Sequence, residues 1–389
     1  MAFGHFPLIG GIGPRKGGAK FALKQVLSQT KKVTPLSLIL IKPLPEAPQA
    51  AGRMDDVLRH ALTGTDCRVV YTADGLSGLQ GKKLLFAVAL GDTGINFEYM
   101  QMLARLRREP ELLRGCTAGV IVDADSPLYT KSTATELTFA ANQAGCAFLG
   151  RPLVEATDTL SNFTIQARNL NTDRMGAYRA AARELVERLE KEVFPTREKP
   201  ELLVLHASSH ATSNTMALWK KTRELLEEDF TFTEIGLRNG TLSDCSGCPY
   251  TVCLHFGEKE SCFYGGVMAA EVYPAVRRCS GVVMLCPNYN DAISANMTAF
   301  INRLTALFRQ TRFYDKALFS LVVSGYSGSD IVARQLISGM NMNKSFYLPG
   351  NFALLETAND PGQALQCPDV EEKVSAFAHT IRSTLLKNL

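Results

Sequence analysis

The chain has 389 residues, 46% of them hydrophobic and 21% charged, with a net charge of +4. Such values describe two globular domains with sizeable cores and argue against nucleic acid or a membrane surface as partner. No apolar run approaches membrane-spanning length, and the N-terminus places its charge after a short apolar stretch, the reverse of a secretory leader; a cytoplasmic protein with reduced thiols is expected.

In chain order, Gly13-Pro14-Arg15-Lys16-Gly17-Gly18 is basic and precedes a helical pattern at 20–30. It could take a phosphate, but the apolar run before it, Pro7-Leu8-Ile9, is a poor strand, and a solvated turn is the better reading. Strands are expected at 36–41, 84–90 and 118–123, and helices at 53–62, 97–108 and 133–144. That alternation predicts a parallel sheet covered on both faces. An amphipathic helix follows Asn171-Thr172-Asp173, with Met175, Tyr178, Ala182, Leu185, Leu189 and Val193 on one face. Two prolines and three charges at 194–200 then mark a boundary. The expected organisation is a unit at 1–194, a linker at 195–200 and a unit at 201–389.

The second unit opens with the apolar run Leu202-Leu203-Val204-Leu205. It leads into His206-Ala207-Ser208-Ser209-His210-Ala211-Thr212-Ser213-Asn214-Thr215 and then a helical pattern containing Trp219, read as a core residue. Backbone N–H groups and the dipole at a helix start favour an anion, and the hydroxyls add donors without bulk. Neither a P-loop nor a G-x-G-x-x-G fingerprint is present. One terminal phosphate, as in FMN, suits such a loop better than a bridging pyrophosphate. Further on, Cys245, Cys248, Cys253 and Cys262 fall in a C-x2-C-x4-C-x8-C pattern. Four close thiols could bind a [4Fe–4S] cluster or a zinc ion, or carry no metal. The other six cysteines read mostly as small buried hydrophobes.

Two more strand–loop–helix units follow. A strand at 281–285 runs into Cys286-Pro287-Asn288-Tyr289-Asn290-Asp291. A strand at 318–323 runs into Ser324-Gly325-Tyr326-Ser327-Gly328-Ser329-Asp330. In a doubly wound sheet such loops meet beyond the carboxyl ends of the strands. The first loop could hold a phosphate, and the other two could frame an aromatic ring between Tyr289 and Tyr326. A weak internal repeat is also legible. The segment from 83 parallels that from 281, 118–123 parallels 318–323, and Pro152-Leu153-Val154-Glu155-Ala156-Thr157-Asp158 echoes Ala353-Leu354-Leu355-Glu356-Thr357-Ala358-Asn359. In that repeat Gly13–18 would hold the place of the phosphate loop.

On these three loops, residues 201 to about 362 resemble the NADPH-dependent FMN reductase family, of flavodoxin-like fold. The ending Ser213-Asn214-Thr215 and Ser208 match the family's first loop, whereas Ala207 and His210 replace its Gly and Arg. Pro287 and Tyr289 match the second loop, and Phe300-Ile301-Asn302-Arg303 matches its F-x-D-R except for Asn302. The resemblance implies an α/β protein of two flavodoxin-like doubly wound parallel-sheet domains in tandem, the first diverged. FMN would be held through its phosphate by Ser208, His210, Ser213, Asn214 and Thr215. Its ring would be framed by Pro287, Asn288, Tyr289, Asn290, Ser324, Gly325 and Tyr326.

The implied activity is hydride transfer from NAD(P)H through FMN to a quinone, flavin, nitro or azo acceptor, with no dedicated catalytic acid or base. The alternatives are a non-enzymatic electron carrier serving a redox-protein partner and a scaffold with a decayed flavin site. Iron–sulfur flavoproteins of this fold carry a tighter four-cysteine cluster at the place of Cys245–Cys262, which keeps the cluster reading open here. Reductases of this fold pair as dimers, so the first unit could cover the flavin in cis, giving a monomeric pseudo-dimer, or the chain could form a homodimer.

Overall fold

The computed structural model describes residues 38–45, 51–208 and 212–387. Its ten strands form two five-stranded sheets, all of whose pairings are parallel. The first contains β1 (Leu38–Ile41), β2 (Cys67–Val70), β3 (Lys83–Ala89), β4 (Thr117–Asp123) and β5 (Ala147–Ala156), in the order β2-β1-β3-β4-β5. The second contains β6 (Glu201–His206), β7 (Thr231–Gly236), β8 (Gly281–Pro287), β9 (Ala317–Ser324) and β10 (Ala353–Thr357), in the order β10-β9-β8-β6-β7. Read from the opposite edge, the second order repeats the first. This is the flavodoxin-like order, with its switch point between the first and third strands of each sheet.

The central strands are buried along nearly their whole length, as in β8 and β9, because helices cover both faces. In the first half these are α1 (Gly52–Ala61), α2 (Phe97–Arg108), α3 (Thr130–Gln143), α4 (Thr164–Asn169) and α5 (Arg174–Lys191). In the second they are α6 (Asn214–Leu226), α7 (Tyr250–Glu258), α8 (Tyr273–Arg278), α9 (Ala295–Phe308), α10 (Ser329–Leu336) and α11 (Val370–Leu385). The helix read from Asn171-Thr172-Asp173 is α5. Asp173 caps it by accepting from the Gly176 N–H at 2.6 Å, which satisfies one of the free donors of the first turn.

The repeat holds for the later strands: β3 corresponds to β8, β4 to β9 and β5 to β10. Gly13–18 lies outside the described residues; among the described residues the first strand of the sheet is β1 at Leu38–Ile41. By its place between β2 and β3, β1 corresponds to β6, which lies between β7 and β8.

The two halves pack against each other about an approximate two-fold arrangement. Phe148 and Leu348 exchange both backbone hydrogen bonds as an antiparallel pair, at 2.8 and 3.0 Å. Asn142, at the end of α3, donates to Pro349 O at 2.6 Å, and Asn341, in the π-helical turn after α10, donates to Leu149 O at 2.9 Å. Both asparagines also bond a carbonyl of their own half, Cys146 O and Phe346 O. Gly350 is required at this contact, since a Cβ there would lie 2.4 Å from Gly145 O. One apolar cluster, containing Phe148, Ala140, Phe346, Leu348 and Met340, continues across the junction.

Candidate functional site

Strands β6, β8 and β9 are neighbours, so the loops that follow them emerge side by side at one edge of the second sheet. After β6, His206 places its Nδ1 3.2 Å from Ser208 O. His210 lies outside the described residues. Ser213 caps α6, its Oγ accepting from the Met216 N–H at 3.4 Å and lying 2.9 Å from Thr215 Oγ1. The free N–H groups of the α6 start thus end at this edge, a favourable place for an anion. Thr215 is buried beneath the turn, and Trp219 is in the core, as expected.

Asn214 departs from the phosphate role expected of it. Its Nδ2 donates to Ala358 O at 3.3 Å and Asp360 O at 2.9 Å, and its Oδ1 accepts from the Ala364 N–H at 3.4 Å. The side chain is spent on tying the loop after β10 to the start of α6. Sequence reasoning did not name that fourth loop, at 358–364, as part of the site; the echo of residues 152–158 in 353–359, which reaches its first residues, is the signal that marks it.

Asn288 joins the second and third loops. Its Nδ2 donates to Ser324 Oγ at 3.1 Å and Ser327 O at 3.0 Å, and its N–H bonds Val323 O at 2.8 Å. Its Oδ1 is buried with no hydrogen-bond partner among the described residues. A buried acceptor left unmade is costly, so the loop pair presents a binding atom. Asn290 and Asp291 both have left-handed backbones, at φ 54° and 56°, strain that such loops store at functional sites. Gly328, at φ 87°, has no room for a Cβ, which would meet Asp291 Oδ1 at 2.2 Å. Ser324 is buried with its Oγ 2.7 Å from Ser329 Oγ, and Pro287 pairs with Val323 at the end of β8. Tyr289 and Tyr326 flank the edge, 57% and 83% exposed. The first half therefore does not cover these rings: it joins the second half at the amino end of β5 and the residues before β10.

The matching edge of the first sheet is closed by its own side chains. Asp123, at the end of β4, is 2% exposed. It receives Arg53 Nη2 at 2.5 Å and Nε at 3.2 Å, together with the Tyr178 hydroxyl at 3.1 Å. Arg53 extends from the first turn of α1 and also donates to Ala124 O and Asp158 O. Burial pushes the Asp123 carboxyl above its ordinary range, against the pull of Arg53 and Tyr178. This triad, drawn from three distant segments, carried no sequence signal.

The four cysteines of the C-x2-C-x4-C-x8-C segment line one cavity of about 480 Å³ beside α9. Tyr250, Phe256, Phe263 and Tyr264 supply its apolar wall, and Asn302, Arg303 and Arg309 its polar one. The lining contains no carboxylate. Among the described residues no three Cys, His, Asp or Glu side chains are close enough to hold one metal ion. The thiols as placed therefore do not fit a single zinc, which needs four sulfurs at ~2.3 Å. Arg303 and Arg309 each have a buried Nε with no hydrogen-bond partner among the described residues, so the cavity offers donors as well as thiols, a set that suits an anionic group with several acceptor atoms. Of the other cysteines, Cys116, Cys146, Cys279 and Cys286 are buried, whereas Cys67 and Cys367 are partly exposed.

No helix among the described residues is long and apolar enough to cross a membrane. No curated protein sequence matches the chain. Similar solved structures include an azoreductase from Bacillus anthracis (14% identity, 48% of this chain and 99% of that one, TM-score 0.35). Others are an NAD(P)H:quinone oxidoreductase from Methanothermobacter marburgensis (13%, 49% and 99%, 0.35) and an NADH:FMN oxidoreductase in its apo form (15%, 49% and 91%, 0.33). At these identities the likeness concerns fold alone. The family model for NADPH-dependent FMN reductase matches residues 200–360. That segment carries the loops of the open edge, so the likeness to the NADPH-dependent FMN reductase family lies in the second half of the chain.

Proposed function

We propose that the chain is an FMN-dependent NAD(P)H oxidoreductase reducing a small acceptor of the quinone, flavin, nitro or azo class. The balanced reaction is NAD(P)H, a proton and the oxidised acceptor going to NAD(P)⁺ and the two-electron-reduced acceptor. FMN, when bound, supplies the hydride-accepting and electron-passing chemistry. The α6 start, with Ser208, Ser213 and His210, holds the phosphate, while Asn214 keeps the neighbouring loop in place. Pro287, Asn288, Tyr289, Asn290, Ser324, Gly325 and Tyr326 frame the ring. The observation that carries this reading is the unpartnered, buried Asn288 Oδ1 in a loop pair beside a helix start.

The tandem units at 1–194 and 201–389 form an internal pair in this reading, and the ring edge stays open to acceptor. The test is to add FMN to flavin-free protein and follow flavin fluorescence, then NADPH oxidation with a quinone. Saturable quenching followed by catalytic turnover supports the reading; no binding of FMN overturns it and leaves a scaffold.

A second reading concerns the cysteine cavity. We propose that Cys245, Cys248, Cys253 and Cys262 bind a [4Fe–4S] cluster, because four thiols share one cavity that has unpartnered cationic donors and no acid. Such a cluster carries single electrons, so a redox protein could serve as acceptor.

A further inference from the structure

We infer that Arg303 is a positioning residue for the cysteine cavity and that Arg303 and Arg309 together set the charge felt by its occupant; this rests on the cluster reading above. Residues 302, 305 and 306 on one face of α9, with Arg309 at its C-cap, line the cavity. Arg303 is 2% exposed. Its Nη1 donates to Ser243 O at 3.3 Å and its Nη2 to Gly265 O at 2.6 Å. Those two carbonyls bracket the segment that carries all four cysteines, so one guanidinium closes both ends of the loop. Asn302 adds a second tie, donating to Asp244 Oδ1 at 3.1 Å, and Asp244 in turn accepts from the Cys245 N–H.

Loop closure alone leaves part of the guanidinium unexplained. Arg303 Nε is buried with no hydrogen-bond partner among the described residues, and so is Arg309 Nε. Arg303 lies 5.9 Å from the Tyr264 ring, whose hydroxyl is 3.9 Å from Cys248 Sγ, and Arg309 stacks over Tyr250 at 4.4 Å. One buried and one half-buried cation in a lining without a carboxylate are unfavourable unless an anion joins them. A cluster held by four thiolates is such an anion, and its sulfurs accept from N–H donors. Donors of this kind raise a cluster's reduction potential and orient its ligands. An Arg serves both tasks because its planar fork reaches two carbonyls while Nε points elsewhere.

The test uses full-length protein prepared without oxygen and supplied with iron and sulfide. Iron and sulfide per chain, the rate of iron loss to a chelator, and the midpoint potential are measured for wild type, Arg303→Lys, Arg303→Gln and Arg309→Gln. Flavin content serves as the control for folding. The expectation is a cluster in wild type and a more negative potential with iron retained in Arg309→Gln. Arg303→Gln should lose iron on the order of tenfold faster, and Arg303→Lys should recover potential better than retention. Wild type with a cluster but all variants unchanged would overturn the role of the arginines. Wild type that takes up no iron would overturn the cluster reading itself. If Arg303→Gln fails to fold, the Arg309→Gln potential still decides the charge effect.

Discussion

The two halves share a strand order and differ at the carboxyl edge. In the first, the fourth strand ends in Asp123, and Arg53 crosses from α1 to meet it. In the second, the corresponding strand ends in Ser324, and the loops above it carry Asn288, Tyr289 and Tyr326. A charged residue at the strand end requires a buried counter-charge, and the counter-charge comes from the helix start where an anion would otherwise sit. A serine makes no such demand, so the edge stays open. The difference between a closed and an open edge is thus largely one of side-chain charge on a shared backbone plan.

The largest expected contrast is chemical, and it tests whether the halves differ only at the edge. Burial raises the Cys286 thiol to about 12 and lifts that of Cys146 in the first half as well. At pH 8 a thiol near 12 is ionised in roughly one molecule in 10⁴, against about one in four for an ordinary thiol. In cluster-free protein, native alkylation followed by peptide mapping should label exposed Cys245 and spare Cys286 and Cys146 alike. Rapid labelling of Cys146 alone would mean the first core is looser than the second.

Next in size, Asp123→Ala leaves Arg53 without its partner and should cost about 3–5 kcal/mol of stability, read from denaturant unfolding. FMN binding by the folded protein should not change. A loss of FMN affinity with little loss of stability would make the closed edge part of the site. In the second half, Gly328→Ala combines a left-handed backbone with a Cβ pressed onto Asp291. It should cost about 1–3 kcal/mol and weaken FMN binding, both measurable by titration and thermal melting. Ser213→Ala removes the α6 cap and should cost ~1 kcal/mol. Tyr326→Ala should stay within about 0.5 kcal/mol in stability, as for an exposed surface residue, while shortening the residence of bound FMN. An unchanged FMN off-rate would remove Tyr326 from the ring frame.

Much of this was legible in the chain. Apolar runs such as Val282-Val283-Met284-Leu285 specify buried parallel strands, because both faces must be apolar when helices cover both. The helix expected at 97–108 is α2 with the same bounds, since Asn96 caps it by accepting from the Tyr99 N–H. The less apolar edge strands β2 and β7 went unread: their burial is partial, and no periodic signal marks them. The three loops of the second half could be placed at one edge because parallel topology puts every strand–helix loop on the same side.

What the sequence by itself determined is the α/β class, the loops that carry hydroxyl and amide groups, and the C-x2-C-x4-C-x8-C segment, since these follow from local pattern and from the rules of parallel sheets. Tertiary structure alone decided that Arg53 reaches Asp123, that Asn214 ties a loop near residue 360, that Phe148 pairs with Leu348, and that Arg303 spans the two ends of the cysteine loop. Each of these is a contact between segments far apart in the chain, fixed by how helices and sheets pack, and no local pattern encodes a partner at that distance.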